Sequence, residues 1–297
     1  MLPNVNQETI QFTVPKGACD CHVHVFGPEN KYPYAENRAY TPGDASEESL
    51  ANLHQQIGIE RLVIVHPSPY GVDNRRSQDG IAFFKQNARG VAVIDEDQMT
   101  SKHIEELHQS GFRGARLNLE TAGMHEPKAA QEKFLKTAKL IANLGWHIQI
   151  YSNIGLIVQL KELILQGDIH VVLDHFARIP ADLGLNQEGL KDIFELLESG
   201  KVWMKLSAPQ RISNDPNSPA VTELARKLIQ INPDRLVWGS DWPHSGAHHG
   251  VPRVKELTEP FHPIDDGHAL NRFAGWAQDP ITIKKILVDN PATLYQF

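Results

Sequence analysis

Residues 18–25 read Ala-Cys-Asp-Cys-His-Val-His-Val, a strand-like stretch that ends in two histidines. Side chains alternate between the two faces of a strand, so we expect His22 and His24 to point the same way, with Asp20 below them. An isolated His-x-His pair is often structural. Further apolar runs that end in histidine or aspartate, at His175 and Asp241, favour a reactive site instead.

This stretch is the first of eight apolar runs that alternate with amphipathic segments of helical period. The runs lie near residues 18–25, 61–68, 90–95, 112–119, 146–152, 169–177, 202–208 and 235–241. The helical segments include residues 49–57, 129–144, 156–165 and 221–231. Several runs are continuously apolar, which is typical of parallel strands covered on both faces. Eight strand–helix units in about 250 residues predict an α/β protein folded as a (β/α)8 TIM barrel.

The chain contains no linker, charge block or low-complexity tract, so we predict a single domain over residues 1–297. Roughly residues 1–16 are expected to be an N-terminal extension. Two connections, 26–45 and 243–279, are long for a barrel, and both follow a strand. Because barrel active sites lie at that rim, we expect both to be lids, the second as a long rim loop.

The composition, with 41% hydrophobic and 22% charged residues, is that of an ordinary globular protein. A formal net charge of -7 argues against nucleic acid or an anionic membrane as a partner, because both carry charge of the same sign. No run approaches the roughly 18 apolar residues of a membrane span, and the first residues lack the features of a signal peptide. We expect a cytoplasmic protein with a small-molecule partner, as a monomer or homo-oligomer.

The two cysteines, Cys19 and Cys21, lie two residues apart on the first strand. An extended backbone keeps their thiols from meeting, so no disulfide is expected. A zinc site of the two-cysteine, two-histidine type would need two widely separated pairs. We expect both cysteines to be small packing residues on the face opposite the histidines, together with Val23.

Residues at the carboxyl ends of barrel strands gather at one mouth. The residues that this rule places there are His22, His24, His66, Ser68, Arg116, Asn118, Tyr151, His175, Ser207, Arg211 and Asp241. The predicted mouth therefore combines imidazole, carboxylate, guanidinium and hydroxyl groups from different strands, as active sites do.

Five ordered motifs give the sequence a family resemblance. They are Cys19-Asp20-Cys21-His22-Val23-His24-Val25-Phe26-Gly27-Pro28, Gly114-Ala115-Arg116, Leu173-Asp174-His175, Gly239-Ser240-Asp241-Trp242-Pro243 and the closing Asn290-Pro291-Ala292-Thr293-Leu294-Tyr295. Over essentially its whole length the chain resembles the amidohydrolase superfamily, in the branch that contains 2-pyrone-4,6-dicarboxylate lactonase and related sugar-acid lactonases. The resemblance implies an amidohydrolase-like barrel.

The resemblance also implies hydrolysis of a lactone by attack of water on the ring carbonyl. In that reaction His22, His24 and His175 would polarise the carbonyl, while Asp241 would orient and deprotonate the water. Removing one such donor from an enzyme typically costs about 10²–10³ in rate. The structural alternative for Asp241 is a helix cap or a strand-end hydrogen bond.

In the metal-dependent majority of the superfamily, the strand-one histidines and the strand-eight aspartate hold a divalent cation with ligands from strands four to six. Here the fifth strand places Tyr151 where the usual ligand histidine would lie, and His147 stands at the wrong end of that strand. Tyrosine is a poor substitute for imidazole around zinc. We therefore predict catalysis without a cofactor, with one divalent metal such as zinc on His22, His24 and Asp241 as the alternative.

Arg116 and Arg211 are the candidate anchors for a substrate carboxylate, because a guanidinium fork suits bidentate contact. The dicarboxylate lactonase has a second arginine six positions after the strand-four one, where this chain has Ala122. Since a second carboxylate would then be poorly paired, the departure favours a monocarboxylate or a hydroxylated sugar lactone. The side chains suited to reading sugar hydroxyls are Tyr40, Ser68, Asn118, Tyr151 and Asn153. The rim-loop histidines expected to be solvated are His244, His248 and His249.

Three other functions are compatible with these residues. A metal-dependent hydrolase or decarboxylase of the same superfamily would use the same side chains as ligands. A sugar-lactone isomerase needs an acid and a base that avoid water, whereas Asp241 favours water activation. A non-catalytic barrel that binds a sugar acid would be expected to lose the charged centre, and His22, His24, His175 and Asp241 are all present.

Overall fold

The computed structural model describes residues 2–121, 123–124, 126–247 and 253–297, and it is built around one sheet of eight parallel strands. The strands are β1 Cys19–Val23, β2 Arg61–Val65, β3 Ala88–Ala92, β4 Phe112–Asn118, β5 His147–Tyr151, β6 Val171–Leu173, β7 Val202–Ser207 and β8 Leu236–Gly239. Each strand pairs with the next one along the chain. All eight predicted runs overlap a strand, and the predicted (β/α)8 barrel is confirmed.

The barrel closes between β1 and the residues that follow β8. Asp241 N donates to His22 O at 2.9 Å, and His24 N donates to Trp242 O at 2.8 Å. Gly239 permits this close approach, because a Cβ atom there would lie 2.8 Å from His22 Cβ. The seam of the barrel therefore runs directly beneath the predicted catalytic residues.

The side chain of Asp20 reinforces the seam. Its Oδ1 accepts hydrogen bonds from Ser240 N at 2.9 Å and from His22 N at 3.1 Å, and its Oδ2 lies 3.2 Å from His54 Nε2. A buried carboxylate thus takes the place of backbone acceptors where β1 and β8 meet.

A β-bulge in β1 changes which side chains enter the barrel. The pairing of β1 with β2 shifts by one residue between Asp20 and Val23. A bulge interrupts the alternation of side chains, so Cys21 and His22 both point inward. Cys19 and Cys21 are packing residues as predicted, but they line the interior with the histidines, and the prediction that they face away from them is wrong. Asp20 is not below the histidines either, since it faces the helix that carries His54.

Helices cover the outside of the barrel. They are α1 Glu47–Ile57, α2 Arg75–Phe84, α3 Ser101–Gln109, α4 Pro127–Ile141, α5 Ile154–Gln159, α6 Lys161–Gln166, α7 Leu190–Glu198, α8 Pro219–Ile231, α9 Asp266–Ala277, α10 Pro280–Lys284 and α11 Asn290–Tyr295. Their buried faces pack on the outward side chains of the strands, which form the main hydrophobic core. Among the described helices, none has the length and apolar character needed to cross a bilayer.

The two predicted lids are joined to each other. Thr41–Pro42, in the first, pairs in parallel with Thr258–Glu259, in the second. The prediction of a loop over the whole of 243–279 is wrong in its second half, because α9 lies there and buries Leu270 and Phe273. The first turn of α9 packs against the predicted N-terminal extension. There the Gln7 side chain accepts hydrogen bonds from the backbone N–H groups of Asp266 and Gly267.

Candidate active site

Three imidazoles and one carboxylate converge at the carboxyl end of the barrel. Oδ1 of Asp241 lies 3.6 Å from Nε2 of His22, 3.8 Å from Nε2 of His24 and 3.7 Å from Nε2 of His175. All four side chains are buried. The structure therefore brings together the four residues that the sequence singles out for catalysis.

His175 reaches the site through an unusual turn. The predicted strand 169–177 ends at Leu173, and residues from His175 to Arg178 follow with φ values of 49, 55, 53 and 51°. Left-handed backbone costs about 1–2 kcal/mol for each L-residue. The turn directs His175 into the mouth beside inward-facing Asp174, and His175 Nδ1 lies 2.8 Å from Ser207 Oγ.

Asp241 is held by Arg211. Its Oδ2 accepts hydrogen bonds from Nε of Arg211 at 3.0 Å and from Nη2 at 2.6 Å. Oδ1, within the described residues, has no hydrogen-bond partner. Burial raises the pKa of Asp241, and the Arg211 guanidinium opposes that rise without cancelling it. One oxygen is thus fixed, and the other faces the three imidazoles.

The imidazoles are held in their neutral form. Burial lowers the pKa of His22 and of His175 well below the usual value, with further lowering by Lys205 for the first and by His22 for the second. Burial, helped by Arg116, lowers the pKa of His24 to about 3. Nδ1 of His24 lies 2.7 Å from the carbonyl oxygen of Val65, which can only accept a hydrogen bond. The proton of His24 is therefore on Nδ1, and its Nε2 presents a lone pair to the mouth.

A second polar layer, which the sequence reasoning missed, lies beneath the histidines. Lys205 Nζ is fully buried and lies 2.7 Å from Gln149 Oε1, 3.2 Å from His22 Nδ1 and 3.3 Å from Asp174 Oδ1. Gln149 Nε2 donates to Asp174 Oδ2 at 2.9 Å. Burial lowers the pKa of Lys205. Burial acts to raise the pKa of Asp174, but Lys205 and other nearby cations outweigh burial and bring the pKa of Asp174 below its usual value. Strand alternation could have found Lys205, which stands two residues before the predicted mouth residue Ser207.

The mouth opens into a cavity of about 580 Å³. The predicted residues that line it are His24, Tyr40, Ser68, Arg116, Asn118, Tyr151, His175, Arg211 and Asp241. The lining residues that the sequence reasoning did not choose include Arg178, Gln210, Ser245 and Arg253. Six of the seven residues predicted to bind substrate thus line one cavity, next to the predicted catalytic residues, and Asn153 is the exception.

Three guanidinium groups surround Tyr151. The Cζ atoms of Arg116, Arg178 and Arg211 lie 6.0, 5.4 and 5.9 Å from its ring centre. Arg178 also donates to the Tyr151 hydroxyl at 3.1 Å and forms an ion pair with Glu120 at 3.0 Å. The cavity wall is consequently cationic, and the repulsion of an anion by Glu120 is offset by its arginine partner.

The two predicted arginine anchors have protein partners already. Two nitrogens of Arg211 are engaged by Asp241, as described above. Arg116 Nη1 donates to the backbone oxygen of His66 at 3.1 Å, and Nη2 lies 4.0 Å from Asp174 Oδ2. Both guanidinium groups still line the cavity, so each is placed by one carboxylate and exposed to substrate on another side.

Two of the candidates, His66 and Asn153, have structural roles instead. The ring of His66 lies between Ser77 Oγ, at 2.9 Å, and the Gly71 carbonyl oxygen, at 3.2 Å, and does not line the cavity. Asn153 caps α5 through Leu156 N at 3.0 Å.

One of the rim histidines predicted to be solvated is buried in the structure. His244 is buried against Asp266, with Nε2 3.1 Å from Oδ2, so the prediction that it is solvated is wrong. Burial acts to lower the pKa of His244, but Asp266 outweighs it and raises the pKa. Ala122, His248 and His249 lie outside the described residues.

The spacing of three of the predicted catalytic residues also suits a cation. His22, His24 and Asp241 each offer a ligand atom within 4.8 Å of the others. Tetrahedral zinc with bonds of about 2.0–2.2 Å needs ligand atoms roughly 3.4 Å apart, close to the separations seen here. The same spacing fits either a metal site or a hydrogen-bonding site.

The chain is similar in sequence and fold to known proteins over nearly its whole length. Residues 19–297 match the family model described as Amidohydrolase. A 4-sulfomuconolactone hydrolase from Rhizobium radiobacter is 36% identical over 99% of this chain and 94% of its own length. A 2-pyrone-4,6-dicarboxylate hydrolase from Comamonas testosteroni is 34% identical over 98% and 93%. A solved structure from Pseudomonas putida, provisionally assigned as a 2-pyrone-4,6-dicarboxylic acid hydrolase, superposes with a TM-score of 0.78 at 27% identity over 94% and 97%.

Proposed function

Because this chain belongs to the amidohydrolase family, we propose that it is a hydrolase that opens a lactone by attack of water on the ring ester carbonyl. The observation that carries the proposal is the convergence of three imidazole Nε2 atoms on one carboxylate oxygen at the floor of a cationic cavity. Relatives at 36% and 34% identity that hydrolyse lactones support it.

Asp241 is the general base in this proposal. Its free Oδ1 takes a proton from water, while Arg211 holds Oδ2 and fixes the direction of the carboxylate. Burial raises the pKa of Asp241, which makes it a stronger base than an exposed aspartate. The water oxygen bonds to the carbonyl carbon, the ring C–O bond breaks, and the proton passes to the leaving alkoxide to give a hydroxy acid.

The three histidines divide the remaining work. His22 and His175 donate Nε2–H to the carbonyl oxygen, where negative charge develops. For His175 the Ser207 hydroxyl can donate to Nδ1, which leaves the ring proton on Nε2. His24 cannot donate from Nε2 while neutral, so it accepts a hydrogen bond from the attacking water. This assignment narrows the predicted set of carbonyl donors from three histidines to two.

The cavity lining suits an anionic lactone. Arg178 and Arg253, which form ion pairs with Glu120 and Glu259, add guanidinium donors to that of Arg116, and in this proposal they take the place of the arginine missing at position 122. Tyr40, Ser68, Asn118 and Tyr151 supply hydroxyl and amide groups along the same wall. We propose a carboxylate-bearing or sugar-acid lactone as the substrate class.

A divalent cation on His22, His24 and Asp241 is the alternative. Such an ion would polarise the carbonyl and lower the pKa of a bound water. The spacing suits a cation, but the hydrogen-bond partner of His22 Nδ1 is the Lys205 ammonium group, which favours a proton on Nε2, where the cation would bind. We therefore propose that the reaction needs no metal. Chelator-treated protein whose metal content is measured should keep full activity, and a requirement for stoichiometric zinc or manganese would contradict this.

A panel of carboxylated lactones in weak buffer with a pH indicator tests the reaction, because each opened ring releases an acid. Mass spectrometry of the product then separates hydrolysis, which adds the mass of water, from isomerisation, which adds none. The Asp241→Asn protein serves as the control for spontaneous opening. Ligand-induced stabilisation by these lactones without turnover would instead favour a non-catalytic sugar-acid-binding barrel.

We also propose a partner, a location and a domain organisation for the enzyme. A small-molecule lactone is the proposed partner, the cytoplasm is the proposed location, and residues 1–297 are proposed to act as one domain, as a monomer or homo-oligomer.

A further inference from the structure

Lys205 has two hydrogen-bond partners and one ion-pair partner, and all three are buried. Gln149 Oε1, His22 Nδ1 and Asp174 Oδ1 lie 2.7, 3.2 and 3.3 Å from Nζ. An ammonium group has three donors and no acceptor, so each neighbour must be able to accept. The buried lysine therefore constrains the protonation of everything it contacts.

The direction of each hydrogen bond follows from the carboxylate. Ionised Asp174 only accepts, so the amide nitrogen of Gln149 must face it, which leaves the amide oxygen for Lys205. This assignment does not depend on how the amide was oriented, because the reverse arrangement would place oxygen against oxygen and nitrogen against ammonium.

His22 Nδ1 is then left as an acceptor. A proton on Nδ1 would point at the Lys205 ammonium. Asp174 Oδ1 lies 3.3 Å from Nδ1, yet in the described part of the chain it receives no hydrogen bond, so it offers no well-aligned alternative partner. In a neutral ring with Nδ1 accepting, the proton is on Nε2, the nitrogen that faces Asp241 Oδ1.

We propose that Lys205 is a positioning residue that fixes His22 in the tautomer with the proton on Nε2, so that the two histidines of the His-x-His pair act in opposite senses. His22 donates toward the mouth, while His24, whose Nδ1–H is held by Val65, accepts there. The role of His22 as carbonyl donor rests on the proposed lactone hydrolysis, but its tautomer does not.

The same proton excludes a metal ligand. Zinc needs the lone pair of an imidazole nitrogen, and an Nε2–H group has none to give. Without Lys205, the His22 proton can move to Nδ1, beside the Asp174 carboxylate. Carboxylate–imidazole pairs of that kind orient metal-binding histidines in many proteins. Lys205 on β7 would thus decide whether His22 donates a hydrogen bond in the mouth or binds a cation there.

Nitrogen NMR of the wild-type protein tests the tautomer without substrate. In protein with ¹⁵N-labelled histidine near neutral pH, we expect the unprotonated nitrogen of His22 to be Nδ1 and that of His24 to be Nε2. His22→Gln and His24→Gln proteins assign the signals. A proton on Nδ1 of His22 would overturn the proposal, whatever the lactone screen shows.

Replacement of the lysine gives a second readout. In Lys205→Met we expect the His22 proton to move to Nδ1 and the protein to bind about one equivalent of cobalt(II) with a visible spectrum, which His22→Gln in the same background should abolish. Lys201→Met is the matched control, because Lys201 Nζ donates to the backbone oxygens of Leu165 and Gly167 and, among the described residues, to no side chain. An unchanged His22 signal in folded Lys205→Met would also contradict the proposal.

Discussion

Asp241 combines the two properties that a general base requires, a raised pKa and a fixed direction. Asp241→Asn keeps the size of the side chain and an oxygen for Arg211, but it cannot accept a proton. We expect kcat to fall by about 10²–10⁴-fold, the usual contribution of a general base, with an unchanged melting temperature. Steady-state kinetics and thermal unfolding measure the two effects, and full activity in the folded variant would refute the assignment.

Arg211 acts on the reaction through Asp241. Its positive charge opposes the effect of burial, so Arg211→Gln should raise the pKa of Asp241 further. Because only the ionised carboxylate is a base, the acid limb of the pH profile of kcat/KM should move to higher pH. Arg178→Gln is the control, since Arg178 pairs with Glu120 and should change KM while leaving that limb in place.

The individual residues show what alternation along a strand does and does not predict. His24, Tyr151 and Asp241 lie where the carboxyl ends of their strands place them. Lys205 was within reach of the same rule but has a charge that sequence reasoning assigns to the surface. Partners such as the Val65 carbonyl, which fixes the tautomer of His24, have no sequence signature, because any residue can supply a backbone oxygen.

At the scale of elements, the bulge in β1 and the turn after β6 position the histidines that we propose to be catalytic. Periodicity could not reveal either, since both interrupt it. One extra residue in β1 brings Cys21 and His22 to the same face. After β6, the left-handed residues from His175 to Arg178 bring a histidine and an arginine to the mouth without a glycine among them. Strain of this kind is found mainly at functional sites.

The seam between β1 and β8 depends on one carboxylate. Asp20→Ala would leave the backbone N–H groups of His22 and Ser240 buried without their acceptor, at about 1–3 kcal/mol for each group. We expect the free energy of unfolding to fall by roughly 2–6 kcal/mol. Asp20→Asn, which keeps one oxygen, should lose much less. Urea denaturation of the two variants measures the difference, and equal losses would contradict this role for Asp20.

At the scale of the whole molecule, buried neutral histidines set the response to acid. Burial lowers the pKa of His24, His66 and His147 to about 3 each, whereas in the unfolded chain histidine titrates near pH ~6.5. Between these limits the unfolded state binds more protons, so stability must fall as pH falls. Three groups give a slope of up to about 4 kcal/mol per pH unit.

Urea unfolding at pH 7, 6 and 5 measures that slope. His147→Met should reduce the slope by the contribution of one proton, about 1.4 kcal/mol per pH unit. His147 suits this test because it lies inside the barrel and outside the active-site cavity. Stability that stays level from pH 7 to pH 5 would show that the histidines are protonated in the folded protein.

The architecture as a whole was the most predictable part, because eight apolar runs with helical segments between them leave few other ways to bury both faces of the strands. The rim was the least predictable. Helix α9 has buried apolar residues at helical spacing, yet it lies in a region whose length alone suggested a loop.

The pairing of Thr41–Pro42 with Thr258–Glu259 connects the two segments predicted to be lids, one after β1 and one after β8. Outward movement of either segment alone would break this pairing, so we expect the two segments to move together when the mouth opens. The hydroxy acid produced by the proposed reaction carries one more negative charge than the lactone, and the arginines that line the cavity would retain it. Its departure, rather than the opening of the ring, would then set the pace of the cycle, and a rapid burst of product before the steady state would be the sign of it.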